Sequence, residues 1–324
     1  MSHISQAADC SKGGALSCSA VTVDCIIAIM KGSVDMGLDR PIFVVGVGRS
    51  GSTVFHHLMT KHPRVAWLSE LCERYPSTPW PNQALMRAID LPLVGPVLVR
   101  HVDPGECYRF WEHHVRGFSA PCRDLVAGDV MNSSATRIRK ALSGMTTPAR
   151  PRLLIKITGW PRLSFLDQIF PDALFINVMR DGRAVASSLL NVHFWQGWGG
   201  PSRWRWGDLT SEQLEEWERH DRSFVALAGI QWKILMDAME RAKEKIAPAR
   251  LLELKYEELC KAPVPMFRRV AEFCELDWSE SLSQAALSEG LRNENEKWRS
   301  DFTPAQQEIL TSVLREYLLR YGYE

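Results

Sequence analysis

The chain has 324 residues, 45% hydrophobic and 24% charged, which is enough apolar surface for a substantial core and excludes a disordered or fibrous protein. Its 39 basic and 38 acidic residues leave a net charge of +1, so no global field draws it to nucleic acid or an anionic membrane, and any cations that hold an anion must be gathered locally. Eight cysteines follow neither a disulfide nor a zinc rhythm, so reduced thiols in a cytoplasmic protein are expected. The apolar run AVTVDCIIAIM is short, is interrupted by Asp24 and has no basic segment before it; neither a membrane span nor a secretory signal is expected.

In chain order, residues 1–38 read as a flexible leader whose apolar patch can pack on the domain or on a second copy of the chain, making a homodimer a candidate assembly. Residues 39–324 read as one domain. An apolar β-branched run predicts a strand over 42–47 and a helix over 52–61. The insertion 75–150 opens on the proline-rich YPSTPWP and carries helical patterns at 106–117 and 133–144. Strand 152–157, helix 162–169, strand 173–179 and helix 182–191 follow, then VHFWQGWGGPSRWRWGDL over 192–209, a loop lid with Trp195, Trp198, Trp204 and Trp206. One long helix is predicted from Ser211 to Lys245, burying Trp217, Phe224, Leu227, Ile234 and Leu235. Strand 250–255 and a final helix over 304–321, packed on the sheet, complete an α/β fold, a P-loop-type parallel sheet flanked by helices. Binding specificity is expected in the two insertions, because such loops are carried by a rigid sheet.

The stretch PIFVVGVGRSGSTVFHHLM, Pro41 to Met59, passes from strand through a glycine-rich turn into a helix. Gly46, Gly48 and Gly51 let a backbone approach an anion, while Ser50, Ser52 and Thr53 add hydroxyls where the helix start points its free N–H groups. Where a nucleotide P-loop places its lysine this chain has Ser52, and its cation has moved to Arg49. Such a loop suits a compact 5′-phosphate better than a magnesium triphosphate.

RSGST after a strand resembles the phosphosulfate-binding loop of sulfotransferases that use 3′-phosphoadenosine 5′-phosphosulfate (PAPS), whose usual form is [RK]SG[TS]T. The same resemblance extends to MRDGRAVASSLL, similar to the family's RDxRxxxxS pattern, which implies that Arg180 and Ser188 hold the 3′-phosphate. Asp181 and Arg183 read instead as a salt-bridged helix cap. RNENEKWRSDFTPAQQE resembles the family's RKGxxGDWKxxFTxxQ segment, with the tryptophan one residue nearer the arginine and the glycines replaced; it implies Arg292 as a phosphate contact and Lys297 and Trp298 closing over the cofactor. RLLELKYEEL is similar to the family's strand ending in YE and implies Tyr256 near the adenine.

Sulfuryl transfer needs a base for the acceptor hydroxyl. The strand-end KTH of the family's cytosolic members stands here as LLIKITGWP, so Lys156 is kept but Thr158 replaces the histidine. The resemblance then turns to the glutamate-base branch, the tyrosylprotein and carbohydrate sulfotransferases, whose glutamate follows an HPxV turn; here KHPRVAWLSE puts Glu70 at the matching distance, with Glu73 as a competitor. It implies in-line transfer with Arg49, the loop amides and Lys156 meeting the charge on the leaving oxygen and no metal required. The tryptophans are expected either to line an acceptor site for a small molecule, glycan, lipid or peptide or to staple their loop to the core, and His113, His114 and His193 are weaker candidates for the base. A P-loop kinase or NTPase, and a non-catalytic nucleotide-binding relative, are the alternatives; the missing loop lysine speaks against the first and the joint presence of Glu70 and Lys156 against the second.

Overall fold

Ile42–Val45 (β1) buries every side chain, and its alternation sends Phe43 and Val45 into one core and Ile42 and Val44 into another. A strand buried on both faces needs cover on both, which a parallel sheet with helical crossovers supplies. The structure, a computed structural model, describes residues 37–119, 122–288 and 291–323; the expected leader lies outside these apart from residues 37 and 38. Its sheet has five parallel strands in the order β2 (Val65–Trp67), β3 (Arg152–Lys156), β1, β4 (Leu174–Met179) and β5 (Leu251–Lys255). Ile42 pairs with both Leu154 and Leu174, so β3 and β4 flank β1 in register and their carboxyl ends emerge side by side. In open α/β sheets ligands bind at this edge, where the chain departs to opposite sides.

The first core joins one face of the sheet to the insertion helices, with Phe43 stacked on Phe175 at 5.7 Å and Trp111 on Phe118 at 4.7 Å. On the other face, the helix Ser52–Met59 places Phe55 flat against Phe267, 5.5 Å between centroids. Beyond the sheet a helical layer forms from Gly182–Leu190, Phe224–Lys243 and Pro304–Tyr321 around Trp232. The last of these starts and stops as expected, because Thr303 and Gln306 form a capping box and Pro304 occupies its first turn. It packs mainly on the other two helices rather than on the sheet as expected.

The single helix expected over 211–245 is two, Ser211–Arg219 and Phe224–Lys243. Asp221 and Arg222 between them are left-handed, at φ 51° and 54°, and the Ser223 hydroxyl accepts from the Val225 N–H to start the second helix. That cap outcompetes the continuous amphipathic pattern. Of the face expected to be buried, Leu227, Ile234 and Leu235 are inside, whereas Phe224 is exposed and Trp217 only half-buried. β2 was missed because three residues are too few to show alternation. Among the described residues no helix is long and apolar enough to cross a membrane.

Candidate active site

The turn after β1 is held by two close approaches. A Cβ on Gly46 (φ +142°) would stand 2.5 Å from the Val178 carbonyl oxygen, and one on Gly51 (φ +84°) would stand 2.1 Å from the Tyr256 ring. These two glycines therefore serve packing as well as conformation, whereas Gly48 lines an open cleft. Arg49, at φ 72°, is left-handed without being glycine, a strained geometry of the kind that collects at functional loops. Beside it the buried Ser50 hydroxyl has no hydrogen-bond partner, which costs about 1–3 kcal/mol unless a ligand supplies one.

Arg49 Nε donates to Ser188 Oγ at 2.8 Å, bringing the loop to the helix that follows β4. Arg180, at the end of β4, donates from Nη1 to the Arg49 carbonyl oxygen at 3.3 Å and from Nε to Asn295 Oδ1 at 2.7 Å, and its guanidinium lies 4.9 Å from the Tyr256 ring centroid. Both guanidiniums thus spend their protein contacts on neutral groups. Burial, and then the charge of Arg180, push the Arg49 pKa down. Asp181 and Arg183 form the expected cap: the Asp181 carboxylate accepts from the Arg183 N–H at 2.8 Å and pairs with its guanidinium at 2.7 Å.

The remaining expected cofactor contacts are placed differently. Tyr256 is buried beneath Gly51 and Arg180, and its hydroxyl donates to the Arg292 carbonyl oxygen at 3.0 Å. Arg292 and Lys297 are exposed and do not line the cleft, while Trp298 is buried in the helical layer under the guanidinium of Arg183, at 5.0 Å. The residue of this segment that meets the site is Asn295, which binds both Arg180 and the Glu257 carboxylate. Sequence reading missed it because the family pattern directs attention to the arginine and lysine around it.

Along β3, Lys156 is buried, donates to Thr53 Oγ1 at 2.9 Å and pairs with Glu106 at 3.1 Å. Thr158 donates to both Glu106 oxygens, at 3.0 and 3.1 Å, and its own carbonyl accepts from the Tyr108 hydroxyl at 2.6 Å. Glu106 was not read from the sequence, since nothing local marks a glutamate in DPGECY as the partner of a lysine 50 positions on. Glu70 opens the helix Glu70–Arg74, is exposed and does not line the cleft; its carboxylate faces the Asp103 N–H at 3.5 Å. Ser69 caps that helix and so fixes Glu70 at its first position. Glu73 accepts from the Arg109 N–H at 3.0 Å.

Arg49, Ser52, Thr53 and Glu106 open onto a cleft of about 1010 Å³ whose far wall includes Trp160, Trp195 and Trp206. The four tryptophans of 192–209 divide between the two expected roles. Trp204 is a staple, buried in the core of the helical layer with its ring N–H on the Gly207 carbonyl at 2.7 Å; Trp195 staples through Gln231 at 2.8 Å and still lines the cleft; Trp206 faces the cleft with Trp160, ring centroids 5.9 Å apart; Trp198 is exposed. His113 and His193 line the cleft, whereas His114 is buried edge-on to Phe110 at 4.6 Å. Among the described residues no three His, Cys, Asp or Glu side chains form a metal-binding group.

Residues 41–280 match the model of the sulfotransferase family. The protein-tyrosine sulfotransferase A of Caenorhabditis elegans is 20% identical over 242 residues, 74% of this chain and 51% of that protein. The nodulation protein NoeE of Sinorhizobium fredii is 24% identical over 307 residues, 87% of this chain and 65% of that protein. The chain thus spans between half and two thirds of the length of these two relatives. Among solved structures, the sulfotransferase STF9 from Mycobacterium avium superposes with a TM-score of 0.55 at 19% identity, covering 91% of this chain and 80% of its own. STF1 from Mycobacterium tuberculosis gives 0.54 at 18% identity, over 86% and 77%. At such identities the likeness is one of fold.

Proposed function

Because the chain belongs to the sulfotransferase family, we propose that it transfers a sulfuryl group from PAPS to a hydroxyl or amine of an acceptor held in the aromatic cleft. The observation that carries this reading is the convergence of Arg49, Arg180 and Ser188 beside the partnerless Ser50 hydroxyl, a cationic cluster at the carboxyl ends of β1 and β4. A donor with two separate phosphates suits it. The loop from Arg49 through Ser50, Gly51, Ser52 and Thr53 takes the 5′-phosphosulfate, Arg180 and Ser188 take the 3′-phosphate, and Tyr256 supports both from below. Arg292 and Lys297, exposed and outside the cleft, are left out of this set. When bound, the donor supplies an activated sulfur–oxygen bond; Lys156 and Arg49 stabilise the negative charge that develops on the departing oxygen.

The cleft wall of Trp160, Trp195 and Trp206 supports an acceptor whose hydroxyl sits on an apolar or aromatic scaffold. Free thiols at Cys72, Cys107, Cys122, Cys260 and Cys274 support a reducing, cytoplasmic setting. Titration calorimetry with adenosine 3′,5′-bisphosphate, against ATP with Mg²⁺, tests the donor. Binding of the bisphosphate is the expected result; binding of ATP alone would return the chain to the kinases.

A further inference from the structure

Resting on the sulfotransferase reading, we infer that Glu106, not Glu70, is the catalytic base that receives the acceptor proton. Three observations point to it. Glu106 lines the same cleft as Arg49, Ser52 and Thr53, and Glu70 does not. Its carboxylate is fixed by Thr158 at 3.0 and 3.1 Å, the residue standing where the KTH pattern carries its histidine. It also meets Lys156 at 3.1 Å, and Lys156 in turn holds Thr53 of the glycine loop at 2.9 Å. Lys156 therefore joins the donor end of the cleft to the acceptor end, and Glu106 is the group on its acceptor side. The left-handed Cys107 (φ 55°), with the Tyr108 hydroxyl on the Thr158 carbonyl, locks the turn that carries this carboxylate.

Competing carboxylates are committed elsewhere. Glu112 lines the cleft, but its two oxygens accept from Gly117 at 2.6 Å and from Ser119 at 2.9 and 2.8 Å. Burial raises its pKa, yet these hydrogen bonds outweigh that and hold it below the ordinary carboxylate range. Glu73 is turned to Arg109 and Glu70 to Asp103. His113 and His193 line the cleft but have no hydrogen bond to Lys156, Thr53 or Thr158 among the described contacts.

In the step itself the acceptor oxygen forms its bond to sulfur as the sulfur's bond to the 5′-phosphate oxygen breaks. The electron pair of that bond leaves on the bisphosphate, and the acceptor proton passes to a Glu106 oxygen.

The test compares Glu106→Gln, Glu106→Asp, Glu70→Gln, His113→Asn and His193→Asn for transfer from labelled PAPS to 2-naphthol, 1-octanol and N-acetyltyrosinamide, with bisphosphate affinity measured on each. Glu106→Gln, which keeps the shape of the side chain, is expected to lower kcat by about 10²–10⁴-fold and to abolish the acid limb of the kcat/KM profile, while bisphosphate affinity stays within about threefold. Glu106→Asp restores part of the rate and Glu70→Gln keeps most of it, while the two histidine variants, at residues that line the cleft, keep the acid limb of the profile whatever they do to the acceptor KM. Loss of turnover in Glu70→Gln or in either histidine variant, with Glu106→Gln active, overturns the assignment. So does a Glu106→Gln enzyme whose acid limb survives, since that marks a residue that only positions Lys156. A wild-type protein that binds no bisphosphate overturns the sulfotransferase reading beneath the assignment; one that binds it yet transfers to none of the three acceptors overturns the use of this cleft for acceptors.

Discussion

The two ends of the cleft are built by different means. At the donor end, short segments leave the carboxyl ends of β1, β3 and β4 within a few residues of their strands, and the sheet register sets their spacing. At the acceptor end, the wall comes from insertions whose residues meet across long stretches of chain, such as Glu106 with Lys156 and Trp160 with Trp206. A phosphate site can be carried by backbone geometry and is therefore local in sequence. A site for a variable acceptor is carried by side chains and is not.

The comparison is broken most severely at its junction. Lys156→Met removes the cation shared by both ends and is expected to lower kcat by about 10²–10³-fold with the fold retained; turnover near the wild-type value would show that the two ends are not coupled through this residue. Confined to the donor end, Arg180→Ala should weaken bisphosphate binding about 10–100-fold in calorimetry with the fold retained. Unchanged binding would remove Arg180 from the phosphate site.

Gly51→Ala forces a side chain into the Tyr256 ring at a positive φ and should destabilise the protein by about 1–3 kcal/mol in urea titration. The same change in a Tyr256→Ala background should cost less, because one of its two penalties is gone; strict additivity would show that the ring is not the obstacle. At the acceptor end Trp206→Ala is expected to raise the acceptor KM about 3–10-fold and leave bisphosphate affinity unchanged. A matching loss of bisphosphate affinity would erase the division between the ends.

The smallest effect concerns acid. Burial, and then the charge of His113, push the His114 pKa down to about 4, against about 6.5 in an unfolded chain. The folded state resists the proton that the unfolded state accepts, so the stability His114 contributes is present above the unfolded pKa and is lost as pH falls from about 6.5 toward 4. His114→Leu should narrow the difference in urea midpoint between pH 7 and pH 5. An unaltered difference would place the acid sensitivity elsewhere.

Most of the sheet was legible in the sequence because β1, β3 and β4 are buried on both faces and so read as mostly apolar runs beside clear turns. The loop and its arginines were legible for the same local reason. What escaped was set by tertiary structure. Asn295 matters only because Arg180 comes to it across the fold, and Glu106 only because Thr158 and Lys156 do. The break at Asp221 was hidden by an apolar pattern that continues through it, since a single serine cap carries less signal than the long amphipathic spacing on either side of it.

The contact between Gly51 and Tyr256 also constrains how this protein can change over generations. Tyr256 can shrink while Gly51 stays as it is, whereas Gly51 cannot enlarge while Tyr256 is in place. Substitutions at the two positions therefore have a favoured order, tyrosine first, since while the ring stands any side chain at position 51 must displace it. A structural close approach of this kind biases the path of descent without closing it.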